Sequence, residues 1–193
     1  MSTTAKPEPI QSFENKAAWA AWLARNHGAS SGVWLRLAKR SSRALSVTYR
    51  EAIEVALCYG WIDGQKKSES KQHWLQRFVP RTSTSIWSKI NRAKALSLIA
   101  RGEMKPAGLK EVERAKASGR WKVAYDSARS ARVPSDLQAA LDANAKAKAF
   151  FATLTGQNRY AVLFRIQTAR KAETRARRIR TFVQMLEKHK TLH

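Results

Sequence analysis

Cysteine is almost absent from this sequence: Cys58 is the only one among 193 residues. A single cysteine excludes an intramolecular disulfide and any zinc site built from several thiolates. Histidines are also few and far apart in the chain, so no pair has the close spacing typical of metal ligands; they are His27, His73, His189 and His193. We therefore expect neither a metal nor a cofactor.

Long apolar runs are missing as well. No stretch approaches the ~20 apolar residues that a membrane-spanning helix requires, so no transmembrane segment is predicted. The first ten residues, MSTTAKPEPI, lack the apolar stretch of a secretory signal. These features predict a cytoplasmic protein.

Negative charge is scarce throughout the chain. There are 14 Asp and Glu residues against 37 Lys and Arg, a formal net charge of +23. Both parts contribute, because residues 1–100 carry +10 and residues 101–193 carry +13. Such a protein attracts polyanions, so we expect salt-sensitive binding to nucleic acid or to an anionic surface. The same charge can also serve only to solvate the protein, and both interpretations stay open.

Apolar residues are present in ordinary amounts. They make up 44% of the sequence and include seven tryptophans, which is enough for a hydrophobic core and excludes a disordered basic tail. The length fits one domain or two small ones.

The N-terminal half combines helix and strand signals. Residues 1–11 look like a loose lead-in, and Asn15 can cap a helix over about 16–27. A strand is predicted over 32–40, where aliphatic side chains recur at every second position. Thr48 and Glu51 form a capping box for a helix that ends at Gly60. Residues 61–80 then predict a hairpin around a polar loop.

Beyond residue 80 the apolar spacing is helical. Ser85 is the expected cap of the first of these helices and Ser135 begins a second capping box. The predicted helices cover 86–101, 106–118, 136–143, 145–154, 157–168 and 172–188. We therefore predict an α+β, predominantly helical protein, with a small antiparallel sheet packed by helices in its N-terminal half and an all-helical C-terminal module. The predicted N-terminal domain covers 12–120, the linker 121–133, and the module 134–190.

Cys58 lies in the last turn of a predicted helix. The negative end of the helix dipole raises the pKa of a thiol there, which disfavours a thiolate nucleophile. A buried structural cysteine is the favoured interpretation, with a reactive cysteine as the alternative.

The tryptophans divide by pattern. Trp19, Trp22 and Trp87 fall on apolar helix faces and are predicted core residues. Trp34 alternates out of phase with its apolar neighbours, so we expect it to face another layer. Stacking on bases is an alternative for the remaining ones, which are Trp61, Trp74 and Trp121.

Asp63 and Arg77 form a predicted cross-strand pair. A hairpin loop centred near residue 70 makes them neighbours on one face of the sheet. The pair is either a structural clamp or a site at which the arginine also holds an anion.

The densest basic run is RKAETRARRIR at 170–180, with six basic residues and one acidic. The helix that carries it is predicted to turn a stripe inward, formed by Ala172, Ala176, Ile179, Val183 and Leu186. Three residues then project outward where they could jointly contact phosphates: Lys171, Arg175 and Arg178. A solvated helix face is the alternative.

Several strings resemble the YdeI/OmpD-associated family, also called the bacteriocin-protection family. They are CYGWIDGQKK, LQRFVPR, SIWSKINR, AKASGRW and the terminal RIQTARKAETRARRIRTFV, and agreement runs from about Phe13 to Leu186. The resemblance implies an α+β N-terminal part and a helical C-terminal module. It also implies a link to resistance against bacteriocins or cationic antimicrobial peptides, contact with an outer-membrane porin, and no established catalytic activity.

The strings that carry the resemblance supply the candidate ligand or anion site: Trp61, Asp63, Gln65, Arg77, Arg81, Trp87, Lys89 and Asn91. Asp63 would orient an arginine or accept a hydrogen bond from a ligand, and the three cations would hold an anion. Because a protein of charge +23 repels a cationic peptide, any protection must be indirect. A nucleic-acid-binding module and an undetected enzyme are the alternatives, and no protein partner is predicted.

Overall fold

In the computed structural model, which describes residues 8–193, a four-stranded sheet is confined to the first half of the chain. The strands are β1 (Ile10–Ser12), β2 (Val33–Ala38), β3 (Trp61–Ser68) and β4 (His73–Pro80), in the order β1-β2-β4-β3. The β3–β4 hairpin and its antiparallel pairing with β2 confirm the predicted sheet.

The strand β1 is a correction to the prediction. Residues 10 and 11 were expected in a loose lead-in over 1–11, but residues 10–12 pair in parallel with β2, so the sheet is mixed. The amide of Trp34 donates to the carbonyl of Pro9 at 2.9 Å. Three residues are too few to show an alternating pattern, so the sequence gives no signal for this strand. Backbone pairing with β2 stabilises it.

The described residues divide into two units. The first contains residues 8–86 and 91–122, and the second contains residues 87–90 and 123–193. Residues 123–133, which fall in the predicted linker, are grouped with the second unit. Within that unit the hydroxyl of Tyr160 donates to the Asp126 carbonyl, and the side-chain oxygen of Gln167 accepts from the Asp126 amide.

Four helices accompany the sheet: α1 (Lys16–Asn26), α2 (Tyr49–Cys58), α3 (Lys89–Ala100) and α4 (Pro106–Ala117). The predicted caps are confirmed, since Asn15 accepts from the Ala18 amide and Thr48 forms the full capping box with Glu51. The helix predicted from residue 86 begins at residue 89 instead. Ser85 does not cap it, because its hydroxyl accepts from the Thr82 amide.

Aromatic side chains fill the core of the first unit. Trp19 is fully buried, stacks on Trp22 with ring centres 5.4 Å apart, and lies 5.7 Å from the ring of Phe78. Its indole N–H donates to the Ala52 carbonyl of α2 at 3.1 Å, which satisfies the polar atom of a buried ring. The apolar side chains of β2 alternate between buried and half-buried positions, as the sequence predicts.

The end of α2 lies very close to the start of α4. Gly60 stops α2 with φ +74°, in the left-handed region that favours glycine. On α4, a β-carbon at Gly108 would lie 2.6 Å from the Leu57 carbonyl oxygen and would also collide with that of Cys58. Only glycine allows the two helices to approach this closely.

The second unit contains α5 (Ser135–Asp142), α6 (Ala145–Thr153), α7 (Gly156–Gln167) and α8 (Ala172–Glu187), as predicted to within two residues. Its core is formed by Leu137, Leu141, Ala147, Phe151, Val162, Leu163, Ile166, Ile179, Phe182 and Leu186. The capping box expected at Ser135 is wrong, because Pro134 is the N-cap and no side chain caps this helix.

The predicted fold class is confirmed: helices make up 48% of the structure and strands 15%, with one sheet in the N-terminal half and helices alone in the C-terminal region. Within residues 8–193, no helix combines the length and the apolar character needed to cross a membrane.

We expect Gly108→Ala to destabilise the first unit by about 1–3 kcal/mol, because backbone carbonyls cannot yield to the added methyl group. Urea unfolding followed by tryptophan fluorescence measures this, since six of the seven tryptophans lie in that unit. Gly28→Ala is the matched control, because nothing lies within 4 Å of its β-carbon position. An equal effect of the two substitutions would contradict close packing at Gly108.

Candidate functional site

A β-bulge interrupts β3 within the string WIDGQ. Asp63 pairs with Phe78, whereas Lys66 pairs with Gln76, so the register shifts by one residue between the two pairs. A shift of one residue moves following side chains to the other face of the sheet. The bulge therefore decides which way each candidate residue on this hairpin points.

Gln76 closes the bulge from the facing strand. Its side-chain amide donates to the carbonyl oxygens of Gly64 at 2.9 Å and of Gln65 at 3.1 Å. The side chain is 2% exposed, and a buried amide of this kind requires partners. Sequence reasoning missed Gln76. The signal for it was a polar residue at a position that shares one face of the strand with Trp74 and Phe78.

Asp63 bonds a residue of α2, not an arginine of the sheet. Its carboxylate accepts from the phenol of Tyr49 at 2.7 Å. The Tyr49 ring in turn packs against Trp74, with ring centres 5.6 Å apart. A carboxylate with a phenol and an indole beside it offers hydrogen-bond acceptors next to an aromatic surface.

Arg77 binds the segment that precedes β1. Its guanidinium donates two hydrogen bonds to the Glu8 carboxylate, at 2.5 and 2.7 Å. These bonds hold the pKa of Glu8 below its ordinary value of 4.5, against the opposing effect of burial. Gly32 leaves room for this pair, because a β-carbon there would collide with the Glu8 carboxyl group.

The predicted Asp63–Arg77 pair is therefore wrong. Phe78 stands opposite Asp63, so Arg77 points to the other face of the sheet. The hairpin loop is centred one residue later than predicted, because Ser68 pairs with Trp74. The bulge reverses only part of this displacement, so that Asp63 stands opposite Phe78 instead of Arg77. The clamp and the anion-site versions of the pair fail together.

The other predicted site residues separate by burial. Trp61 is 1% exposed and donates its indole N–H to the His27 carbonyl at 3.1 Å, so its ring is not open for stacking on a ligand. Trp87, Arg81 and Asn91 are also buried. Gln65 is exposed on the bulge.

Lys89 belongs to the second unit, where its ammonium lies 2.8 Å from the Asp126 carboxylate. Arg81 lies in the first unit, where it donates to the Ile86 carbonyl at 3.2 Å. Its charge also lowers the pKa of Glu111, but burial is the larger effect and the pKa of that carboxyl is raised overall. Both cations thus have protein partners.

Cys58 is buried, as predicted. Burial raises the pKa of its thiol, and the negative charge of Glu103 adds to that rise. A thiol held in its neutral form is a poor nucleophile. Within the part of the chain that the structure describes, no group of three or more histidine, cysteine or acidic side chains could hold a metal ion.

Two of the three predicted phosphate contacts on α8 are engaged with the protein. Arg175 forms two hydrogen bonds with the Asp136 carboxylate, at 2.6 and 2.8 Å, and also donates to the Ile166 carbonyl. Arg178 donates to the Arg165 carbonyl. Both arginines thus supply positive charge and donors to the last turn of α7, where carbonyls lack helical partners. Lys171 is exposed.

The inward stripe predicted for α8 is displaced. Ala172 and Ala176 are exposed, and Phe182 is buried together with Ile179 and Leu186. A large aromatic side chain buries far more apolar area than alanine, so the helix turns toward Phe182. This rotation brings Arg175 and Arg178 to the edge of the packed face.

On the exposed side of α8, Arg177 and Arg180 lie three residues apart and are neighbours on the helix surface. Neither they nor Lys171 form an ion pair or a side-chain hydrogen bond with any residue in 8–193. We call Lys171, Arg177 and Arg180 the α8 cations. Sequence reasoning named only the first of them.

Comparison with known families divides the chain. Residues 11–111 match a family described as a domain of unknown function (DUF8412), and residues 130–189 match the family described as bacteriocin-protection, YdeI or OmpD-associated. The resemblance predicted from the sequence is confirmed for 130–189, on part of the expected range. No curated protein and no solved structure matches the chain.

We expect Gln76→Leu to destabilise the first unit by about 1–3 kcal/mol, since it removes the hydrogen bonds that the buried Gln76 amide donates to the Gly64 and Gln65 carbonyls. Urea unfolding followed by tryptophan fluorescence measures the change. Gln72→Leu, at an exposed position in the hairpin loop, is the control. A loss no greater than that of the control would show that the bulge does not need Gln76.

We expect Arg77→Gln to reduce the stability of the first unit by about 1 kcal/mol at pH 7. Because the pair depresses the pKa of Glu8, its contribution is present above pH 4.5 and is lost as the pH falls through the lower folded-state value. The difference between wild type and variant should therefore shrink toward pH 3.

Unfolding curves from pH 3 to pH 7 check this expectation. Lys71→Gln removes the same charge at an exposed loop position and is the control. A difference between wild type and Arg77→Gln that does not change with pH would mean that Glu8 is not the partner that matters.

Proposed function

We propose that this chain, which belongs to the family of the domain of unknown function DUF8412 and is of the YdeI/OmpD-associated type over residues 130–189, acts as a polyanion-binding protein. The proposal includes no catalytic step. Any link to resistance against bacteriocins or cationic antimicrobial peptides is then indirect and depends on the basic surface.

The observation that carries the proposal is the set of α8 cations. They lie within the matched segment, are exposed, and have no carboxylate partner among the described residues. An exposed cation without a partner gains more from a phosphate than one already paired. We assign Arg175 and Arg178 instead to holding α8 against its neighbours. Arg175 bonds the Asp136 carboxylate of α5 and the Ile166 carbonyl of α7, and Arg178 bonds the Arg165 carbonyl of α7.

The charge of the whole second unit supports the same function. Its described residues include 15 basic and 5 acidic side chains, a net charge of +10. A field of one sign attracts polyanions from a distance and is weakened by salt. The α8 cations would then be the contact points in a generally attractive field.

Protection by direct capture of a cationic peptide does not fit this charge. Like charges repel, so a complex between this protein and such a peptide is electrostatically disfavoured. Two indirect routes fit: the protein occupies an anionic surface that the peptide would otherwise bind, or it binds nucleic acid and changes expression.

Nucleic-acid binding has one further observation in its favour. Trp34 lies on the face of the sheet that also carries Lys67, whose ammonium is 3.9 Å from the centre of the indole ring. Aromatic rings among positive charges are typical of surfaces that bind single strands by stacking. A single-strand site on this sheet face is therefore the second candidate.

We expect replacement of the three α8 cations by Gln to weaken binding to a mixed-sequence DNA duplex and to reduce its salt dependence. The slope of log K against log salt should fall by about 0.9 for each residue that contacts a phosphate. Fluorescence anisotropy across a salt series measures both quantities. The same series with anionic phospholipid vesicles distinguishes a nucleic acid from a membrane-like surface.

The matched control replaces Arg129, Arg132 and Lys146 by Gln, which removes three exposed charges from the same unit. Equal loss of slope in both triple variants would overturn a defined site on α8 and leave only diffuse attraction. The double variant Arg175→Gln, Arg178→Gln should lower thermal stability and change the slope little. Single-strand binding that survives the α8 replacements would favour the sheet face around Trp34.

A further inference from the structure

A groove in the first unit separates α2 from α3. It encloses about 270 Å³ and is lined by Arg50, Glu54, Ala93, Lys94, Ser97, Leu98 and Arg101. The spacing explains the composition: positions 50 and 54 share one face of α2, and positions 94, 97, 98 and 101 follow one another along one side of α3. Three cations and one carboxylate thus face the same space.

Three cations share the single carboxylate in the groove, and none of them forms a close ion pair with it. Glu54, whose side chain is 17% exposed, lies 3.4 Å from Nε of Arg50, 3.6 Å from Nζ of Lys94 and 3.8 Å from Nζ of Lys16. Charge-assisted hydrogen bonds are normally about 2.7–2.9 Å long. Each of the three cations is therefore only loosely held by Glu54.

Arg101 is fixed at the end of the groove. Its Nε lies 2.6 Å from the Glu103 carboxylate, and its Nη1 donates to the Ser97 hydroxyl at 2.7 Å. These contacts use some of the five N–H donors of the guanidinium and leave others for a ligand. An arginine held in this way has little conformational freedom to lose when it binds.

The charges around the groove do not cancel. The charged residues that line it are three cations, Arg50, Lys94 and Arg101, and one carboxylate, Glu54, which leaves an excess of +2. A phosphate dianion would neutralise this excess and could accept the hydrogen bonds that the cations do not make with Glu54. The volume is just below the ~300–1,000 Å³ typical of drug-sized sites, so the ligand must be small.

We propose that the α2–α3 groove binds a phosphate group, either of a small phosphomonoester or of a nucleic-acid backbone. Lys94 and Arg50 hold the phosphate oxygens from the two walls, Arg101 closes one end, and Glu54 offsets part of the positive charge when the groove is empty. This site lies in the segment that matches the domain of unknown function, and the inference does not rest on the function proposed for α8.

The probes are inorganic phosphate, glycerol 3-phosphate and a short single-stranded oligonucleotide, each titrated into the full chain at constant ionic strength. Backbone amide shifts observed by NMR should move in α2 and α3 and give the dissociation constants. Lys94→Gln and Arg50→Gln should each weaken phosphate binding about tenfold, by loss of a charge-assisted hydrogen bond. The control Lys71→Gln should leave the constants unchanged.

The direction in which Glu54→Gln changes the phosphate affinity distinguishes a binding site from a purely structural contact. If the groove is a binding site, removal of its carboxylate should tighten phosphate binding several-fold. If the charges only join helices, Glu54→Gln should lower stability and tighten nothing, and that result would overturn the proposal. Arg50 is 83% exposed, so Arg50→Gln keeps the fold and tests the site even where Glu54→Gln unfolds.

The probes also separate the two sources of phosphate. Tighter binding of glycerol 3-phosphate than of the oligonucleotide identifies a small phosphomonoester, and the reverse order identifies a nucleic-acid backbone. Absence of shifts in α2 and α3 with all three probes would overturn the site. Variants of the α8 cations should not affect the phosphate constants, so failure here is distinct from failure of the proposed function.

Discussion

The hydrogen bonds from Gln76 to the bulge in β3 are the constraint on which the arrangement of the sheet residues depends. They supply donors to the carbonyls of two residues in the bulge, and so they stabilise the register shift between Asp63 and Lys66. With this register, Asp63 meets the phenol of Tyr49, while Arg77 faces the other side and binds Glu8. A register of β3 different by one residue would turn Asp63 to the other face of the sheet, away from Tyr49.

Scarce carboxylates organise the abundant cations. Several of the 14 acidic residues each hold a particular basic side chain at a structural joint: Glu8 joins the segment before β1 to β4, and Asp136 joins α5 to α8 through Arg175. The α8 cations form no ion pair with any residue in 8–193, and the group around Glu54 shares one carboxylate among three cations.

The strings that suggested the candidate site in the first half of the chain lie outside the matched residues 130–189, and several of their side chains are packed in the interior. Trp61 and Trp87 are buried, and Arg81 lies in the interior beside Glu111. Conversely, the groove residues Arg50 and Lys94 and the exposed Arg177 lie outside the set that the motifs suggested. A motif shows only which residue types stand at its positions. It cannot distinguish a tryptophan or arginine that is required for packing from one that binds a ligand.

The sequence by itself determined the helices, two of the four predicted N-terminal caps, the hairpin, the burial of Cys58 and the net charge, because these depend on local spacing and composition. Only the tertiary structure decided where individual charges point. The bulge at Gly64 and Gln65 depends on a glutamine from another strand, and the rotation of α8 depends on the space available to Phe182 in a core built by four helices. The partners of Arg77 and Arg175 are 69 and 39 residues away in the chain, a separation over which no local pattern carries information.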